Sequence, residues 1–343
     1  MDATYEKPTE RVAAAVIGAG PAGLAAAEAL AAEGVAPVIF DAKPSAARKF
    51  LMAGKSGLNL TKNEPHEAFV EAIGCERLSP ILAAFGPARA MEWAEALGEP
   101  LFTGSSGRVF PKAMKASPLL RRWLARLEAG GARLRTRWRW TGWEGRSLHF
   151  ETPDGPRLVE AEATVLALGG ASWPRLGSDA AWVPALRGAG VEVAPFRPSN
   201  MGFDVDWSDH FRKRFAGAPV KPAAIVFRSE TRRGEFVVTR AGVEGSLIYA
   251  LSATLRDALE AGGAAPTLDL APDLSEEEIR RRLSRPRGKA SRATHLRKTL
   301  GISGVRAGLL RELSPDAATP EALAAAIKST PLPLLRPRPI EEA

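Results

Sequence analysis

The sequence predicts an α/β protein: a Rossmann-like dinucleotide-binding domain with a β-meander, plus an inserted mixed β domain that carries a basic helical subdomain. Three observations predict it. A short apolar run, a glycine triplet, an alanine-rich helix pattern and a second apolar run follow one another at the start of the chain. A second apolar run, Thr164 to Leu168, ends in the pair Gly169 and Gly170. Beyond about residue 195 the pattern changes to short strands with Pro and Gly turns, and then to a strongly basic helical stretch.

Arg11 to Ile17 reads as a buried strand, Pro21 to Glu33 as a helix with Gly34 just past its end, and Val35 to Phe40 as the next strand. Strand, turn, helix and strand in about thirty residues make a βαβ unit, with a right-handed crossover and a parallel sheet. Helices are expected over His66 to Ile73, Pro87 to Leu97 and Pro118 to Ala129. From Ala132 to Trp140 arginines alternate with Leu134, Thr136, Trp138 and Trp140, the period of a half-buried strand. With Ser147 to Glu151 and Arg157 to Glu162 it forms the meander, and Ala163 to Leu168 is a separate buried strand. The domain boundaries expected are 1–194 for nucleotide binding and 195–336 for the inserted substrate domain, whose basic subdomain occupies about 272–313; 337–343 begins a return segment. A helix is expected from Ser246 to Ala261, and Gly301, Gly304 and Gly308 read as close helix packing in the basic region.

At 343 residues, 45% apolar and 25% charged, the chain has room for two domains and the proportions of an ordinary globular protein. Cys75 is its one cysteine, which excludes an internal disulfide, a CxxC redox pair and an iron–sulfur cluster built from this chain alone. His66, His149, His210 and His295 lie far apart with no ligand spacing, so no metal site is expected. Redox chemistry would need an added cofactor. The first ten residues lack the apolar core of a secretory signal, and glycines, a proline and two glutamates interrupt the apolar region from Val12 to Val35, so no membrane span and a cytoplasmic location are expected. The net charge of +8 is concentrated: between Ile279 and Leu310 there are ten Lys and Arg and no Asp or Glu. That region, 280–306 above all, either contacts a polyanion or is a solvated helical face.

Gly18, Gly20 and Gly23, with Ala19, Pro21 and Ala22 between them, spell G-x-G-x-x-G between a predicted strand and a predicted helix. Gly18 allows the tight turn, Gly20 lets backbone approach a pyrophosphate, and Gly23 lets the helix pack on the strand. The helix start supplies N–H groups and about half a positive charge to the phosphates. Asp41 ends the second strand 23 residues after Gly18, where a carboxylate accepts hydrogen bonds from ribose hydroxyls. Such a triplet also occurs as a plain glycine-rich turn; strand, helix and acid in register point to a dinucleotide. Gly169 and Gly170, after a meander, select FAD over NAD, because flavoproteins of the glutathione-reductase type return the chain beside the cofactor at that distance. Leu168 stands where their "ATGG" segment usually has Thr.

Further segments carry a resemblance. The run from Ala47 to Thr61, ARKFLMAGKSGLNLT, is similar to the "GRKLLISGGGRCNLTN" loop of the HI0933-like flavoproteins, a bacterial family of NAD(P)/FAD-dependent oxidoreductases. Matches continue through GRVFP at 107–111, GASWP at 170–174 with Gly177 and Ser178, and GVEG at 242–245, and cover the chain from about residue 12 onward. In that family the Arg-Lys and glycine-rich loop lies against the flavin, which implies roles for Arg48, Lys49, Gly54, Asn59 and Thr61; a solvated surface loop is the plainer alternative. The resemblance also implies FAD as cofactor, NAD(P)H as a transient donor in the absence of a second GxGxxG, and reduction of activated C=C bonds. The substrates are a ribosomal RNA uridine in one branch and small bile-acid intermediates in another. Tyr249 could donate a proton to a reduced substrate or be an ordinary buried tyrosine; no catalytic acid or base is singled out. Family members continue past the equivalent of Arg338-Pro-Ile with a glycine-rich strand and turn near the ribityl chain, and no glycine follows Gly308 here. A truncated flavoprotein that holds FAD weakly, or a nucleic-acid-binding module without flavin turnover, is therefore the competing expectation.

Overall fold

The computed structural model describes residues 9–54 and 57–343, which form two compact units that divide between Pro195 and Phe196. Unit one opens with strand β1 (Thr9–Ile17), helix α1 (Pro21–Ala32) and strand β2 (Pro37–Asp41). Proline at the first turn and alanines throughout favour α1. Gly34, at φ +79°, ends it in the left-handed region while its N–H bonds Ala31 O at 3.1 Å. Next come α2 (Arg48–Ala53), β3 (Thr61–Lys62), α3 (His66–Ile73), α4 (Ser79–Ala84), α5 (Pro87–Ala96), β4 (Leu101–Thr103), β5 (Arg108–Pro111) and α6 (Ala116–Ala129). Strands β6 (Arg133–Thr136), β7 (Arg139–Glu144), β8 (Ser147–Thr152) and β9 (Gly155–Leu166) and helix α7 (Val183–Gly188) complete the unit.

The main sheet has the order β6-β2-β1-β9-β8-β7, with β6, β2, β1 and β9 parallel and β9-β8-β7 an antiparallel meander. Alternate residues of β1 and β2 serve its two faces. Val16 and Ile39 pack with Leu24, Ala27, Leu119 and Trp123 under α1 and α6, whereas Ala15, Ile17, Val38 and Phe40 pack with Trp140, Leu148, Phe150 and Val159. Apolar side chains on both faces explain why β1 reads as one continuous apolar run. On the helical side the Glu28 carboxylate accepts from Trp93 Nε1 (3.0 Å), Trp123 Nε1 (2.7 Å) and Arg126 Nη1 (2.8 Å), which joins α1, α5 and α6 through one anion. A separate small sheet, β3-β5-β4, stands beside α5.

Two sequence expectations need correction here. The alternating stretch 132–140 is not one strand: Arg137, at φ +62°, breaks it, and β6 and β7 lie on opposite edges of the sheet. The backbone turns over the end of β2 instead, with Arg137 N–H on Lys43 O (3.1 Å) and Trp138 N–H on Asp41 O (2.9 Å). Conversely, 157–162 and 163–168 are not two strands, because β9 runs unbroken and pairs with β8 on one side and β1 on the other.

Unit two contains β10 (Phe203–Asp204), α8 (Asp209–Phe215), β11 (Pro219–Phe227), β12 (Glu230–Val238), β13 (Gly242–Glu244), α9 (Ser246–Tyr249), α10 (Ser252–Glu260) and β14 (Thr267–Asp269). Helices α11 (Glu276–Leu283), α12 (Arg292–Leu300), α13 (Gly304–Leu313) and α14 (Pro320–Lys328) follow, then strands β15 (Thr330–Pro331) and β16 (Arg336–Pro337). One antiparallel sheet, β15-β14-β11-β12-β13-β10-β16, covers a core that includes Phe203, Trp207, Phe211, Ile225, Phe236 and Leu255. The helix expected over 246–261 is broken into α9 and α10 between Tyr249 and Ser252. Of the three glycines read as packing sites, only Gly308 is one: a Cβ there would stand 2.5 Å from the Phe215 ring, while Gly301 and Gly304 have open space and take positive φ, Gly301 capping the end of α12 and Gly304 opening α13.

Residues 337–343 belong to unit two, where β16 is an edge strand of the sheet. Asp204, 7% exposed, anchors it by accepting from Arg336 Nε (2.6 Å) and Arg338 Nη1 (3.0 Å). Burial pushes the Asp204 carboxyl up, but the two arginines outweigh it and hold it below the usual carboxylate range. Among the described residues, no helix is long and apolar enough to cross a membrane, and no His/Cys/Asp/Glu group is arranged to hold a metal ion.

Candidate functional site

The glycine turn is fixed by contacts that leave one side of it open. Gly18 sits at φ +107°, and a Cβ on it would stand 2.2 Å from Ala167 O, so only glycine lets the end of β1 pass the end of β9. A Cβ on Gly23 would stand 1.8 Å from Gly18 O, so α1 closes on the turn with no room to spare. Gly20 differs from both, since a Cβ there would meet nothing within 4 Å. Gly20 also caps α1, and no side chain caps the helix start. Its N–H groups therefore stand ready for an anion.

Asp41 braces this turn from the end of β2. One carboxylate oxygen accepts the Ala19 N–H at 2.7 Å and the other accepts the Lys43 N–H at 2.7 Å, while the Gly18 N–H bonds Phe40 O at 2.7 Å. Each carboxylate oxygen keeps further lone-pair capacity. Asp41 lines a cavity of about 260 Å³ built wholly from unit one, together with Gly18, Gly20, Pro21, Lys43, Arg48, Lys49, Gly169 and Gly170. Ala19 is buried beneath the turn, and Ala22 and Gly23 lie along α1 outside the cavity lining.

Three cations enter from the loop after β2 and from α2. Lys43 lays its stem beside Gly177, where an added Cβ would come within 3.1 Å of Lys43 Cγ. Lys49 donates to Ser172 Oγ, and burial lowers its pKa. Arg48 donates to Ser45 Oγ at 3.3 Å, yet its Nε is buried and has no partner among the described residues. From the far edge of β9, Gly169 turns at φ +74°, its carbonyl accepts Trp182 Nε1 at 3.2 Å, and the Gly170 carbonyl accepts the Ala180 N–H at 3.0 Å.

These residues fit the diphosphate and ribose of FAD. Open space above Gly20, an uncapped helix start, cations from Lys43, Arg48 and Lys49 and a braced carboxylate at Asp41 answer the two charged or polar parts of that half of the molecule. A buried donor without a partner, such as Arg48 Nε, costs about 1–3 kcal/mol, and an incoming acceptor would relieve it.

Not every residue singled out from the sequence lines this cavity. Gly54 ends α2 where a Cβ would stand 2.4 Å from Ala116 Cβ, so its smallness serves the packing of α2 on α6. Asn59 and Thr61 line a different hollow with Phe69, Phe85 and Arg108, and Thr61 pairs with Val109 in the small sheet. Lys55 and Ser56 of the same loop fall outside the described residues. In unit two, Tyr249 is 36% exposed on α9, and burial and then the charge of Glu244 raise its hydroxyl pKa, so it stays protonated.

The sequence reading missed a second set of lining residues: Trp138 just before β7, Arg139 and Trp140 at its start, and Ser178, Asp179 and Trp182 before α7. The segment GASWP with Gly177 and Ser178 was the one signal that pointed toward the latter group.

A protein-family model described as "HI0933-like protein Rossmann domain" matches residues 12–310. No curated protein matches the chain. Among solved structures, a 3-ketosteroid-Δ4-(5α)-dehydrogenase from Rhodococcus jostii RHA1 is 13% identical over 98% of this chain and 85% of that one, with a TM-score of 0.48. A flavocytochrome c3 fumarate reductase is 18% identical over 96% and 66%, with a TM-score of 0.47. The THI4 protein of Thermovibrio ammonificans is 17% identical over 60% and 71%, with a TM-score of 0.35.

Proposed function

The chain belongs to the HI0933-like family of FAD-dependent oxidoreductases, and from that premise we propose that it is a reductase of activated C=C bonds that draws its electrons from NAD(P)H. When bound, FAD supplies hydride transfer between the two substrates. The start of α1 and the bare backbone at Gly20 hold the diphosphate, with Gly18 and Gly23 shaping the turn, and Asp41 accepts the ribose hydroxyls. Arg48 and Lys49 add positive charge, and Gly169 and Gly170 keep side chains off the cavity wall where the chain leaves β9. The single observation behind this reading is the open face at Gly20 beside a carboxylate that the Ala19 amide holds in place.

The purified chain mixed with FAD is expected to retain a yellow flavin band after gel filtration, and the band is expected to bleach when NADH or NADPH is added without oxygen. A colourless protein would favour a nucleic-acid-binding module without flavin. A yellow protein that neither nicotinamide bleaches would remove NAD(P)H from the scheme.

Of the two substrate classes implied by the resemblance, the surface of the basic region supports an RNA uridine over a small molecule. Glu278 is occupied by Arg281 and Arg282. Arg280, Arg285, Arg287, Lys289, Arg297 and Lys298 are exposed and make no ion pair among the described residues. Arg292 is half-buried next to them, and burial and then the charge of Arg287 lower its pKa. Crowded cations attract phosphates. Binding of ribosomal RNA fragments is expected to fall with salt at a log–log slope of about 4, from roughly six phosphate contacts on single strands. A flat salt response would leave these residues as a solvated face.

A further inference from the structure

We propose that Arg139 and Asp179 read the base edge of the adenine in the nucleotide cavity of unit one, with Trp138, Trp140 and Trp182 forming the apolar wall around the base. The proposal rests on the FAD reading above and extends it from the phosphates and ribose to the base.

Arg139 and Asp179 both line the cavity, 40% and 28% exposed, with Arg139 Nη1 3.9 Å from Asp179 Oδ2. That gap holds opposite charges together yet is too long for a hydrogen bond. Asp179 Oδ1 accepts the Ala181 N–H at 3.2 Å, which orients the carboxylate, while Oδ2 has Arg139 as its only charged neighbour among the described residues. Arg139 makes no hydrogen bond to another described residue. An acceptor and a donor with unused capacity therefore stand side by side in the cavity, next to the indoles of Trp138, Trp140 and Trp182.

The aromatic wall has a matching signature. Trp140 is 7% exposed, and its Nε1 has no partner among the described residues. Trp138 packs beside Phe40 and Phe150, and Trp182 is tied to the Gly169 carbonyl. Rigid indoles suit a flat heteroaromatic ring. Adenine presents an exocyclic N–H donor next to a ring-nitrogen acceptor, the complement of a carboxylate beside a guanidinium. Hypoxanthine presents a carbonyl oxygen where adenine presents that N–H, and so sets an acceptor against Asp179.

The test uses the full chain and follows tryptophan fluorescence during titration with ADP, with inosine diphosphate and with FAD. Wild-type protein is expected to bind ADP at least about tenfold more tightly than inosine diphosphate, the cost of one unmatched polar group. In Asp179→Asn, whose amide can turn to offer either a donor or an acceptor, the ratio is expected to fall to about one while both nucleotides still bind. Arg139→Gln is expected to weaken ADP and FAD together by about tenfold with no change in thermal midpoint. Protein that binds FAD and ADP but treats inosine diphosphate equally, or an Asp179→Asn protein that keeps the wild-type ratio, overturns this inference and leaves the flavin reading intact. Wild-type protein that binds none of the three overturns both.

Discussion

Asp41→Asn is expected to weaken FAD binding by roughly 30- to 1,000-fold. The two oxygens of Asp41 are each committed to a backbone N–H, that of Ala19 on one side and that of Lys43 on the other. Asparagine has one acceptor oxygen, so whichever way the amide turns, its NH₂ faces a backbone donor. One charge-assisted bond is lost and two donors oppose each other, about 2–4 kcal/mol in total. The strain falls on the Ala19 peptide, which lies inside the glycine turn, and the ribose hydroxyls lose an anionic acceptor at the same time. Isothermal titration with FAD measures the loss, and the urea midpoint separates it from any unfolding. An affinity within about threefold of wild type would remove Asp41 from the ribose and reduce it to a brace for the turn.

The legible part of this site follows from rules that act locally. Gly18, Gly20 and Gly23 stand out because sterics admit no other residue at two of the positions, and Asp41 stands out because the length of a βαβ unit fixes where the second strand ends. Arg139, Asp179 and the tryptophans gave no such signal. They reach the cavity through turns made by Arg137 at φ +62°, Trp173 at φ +62° and Ala180 at φ +52°, residues that seldom adopt the left-handed region and that announce no turn in a sequence. The alternation of apolar and charged side chains runs on through Arg137, so a break in the chain path looked like a continuous strand. The loop from Arg48 to Thr61 shows the opposite effect. By resemblance its glycines belong to a loop that lies against the flavin, yet Gly54 is small because Ala116 of α6 lies against it, a contact made by residues more than sixty positions apart.

Gly20→Ala and Gly23→Ala are expected to fail in opposite ways. At Gly23 a methyl group would stand 1.8 Å from Gly18 O and 3.0 Å from Gly18 C, and both are backbone atoms that no rotamer change can move. Either α1 lifts from the sheet or the turn shifts, at a cost of about 3 kcal/mol, the upper end for overpacking. Loss of FAD binding would then accompany loss of stability. At Gly20 the backbone is extended, at φ −77°, and a methyl group meets nothing within 4 Å. Alanine there should leave the urea midpoint unchanged or raise it slightly, since it restricts the unfolded chain by about 0.4–1 kcal/mol. The same methyl projects into the space that the diphosphate needs at the start of α1, so FAD affinity should drop by at least about 100-fold in a protein that is as stable as wild type. Denaturation curves and FAD titrations on the two variants resolve the pair. A Gly20→Ala protein that binds FAD like wild type would mean that the open space above this glycine is not where the phosphates lie, because a methyl group and a phosphate oxygen cannot share it.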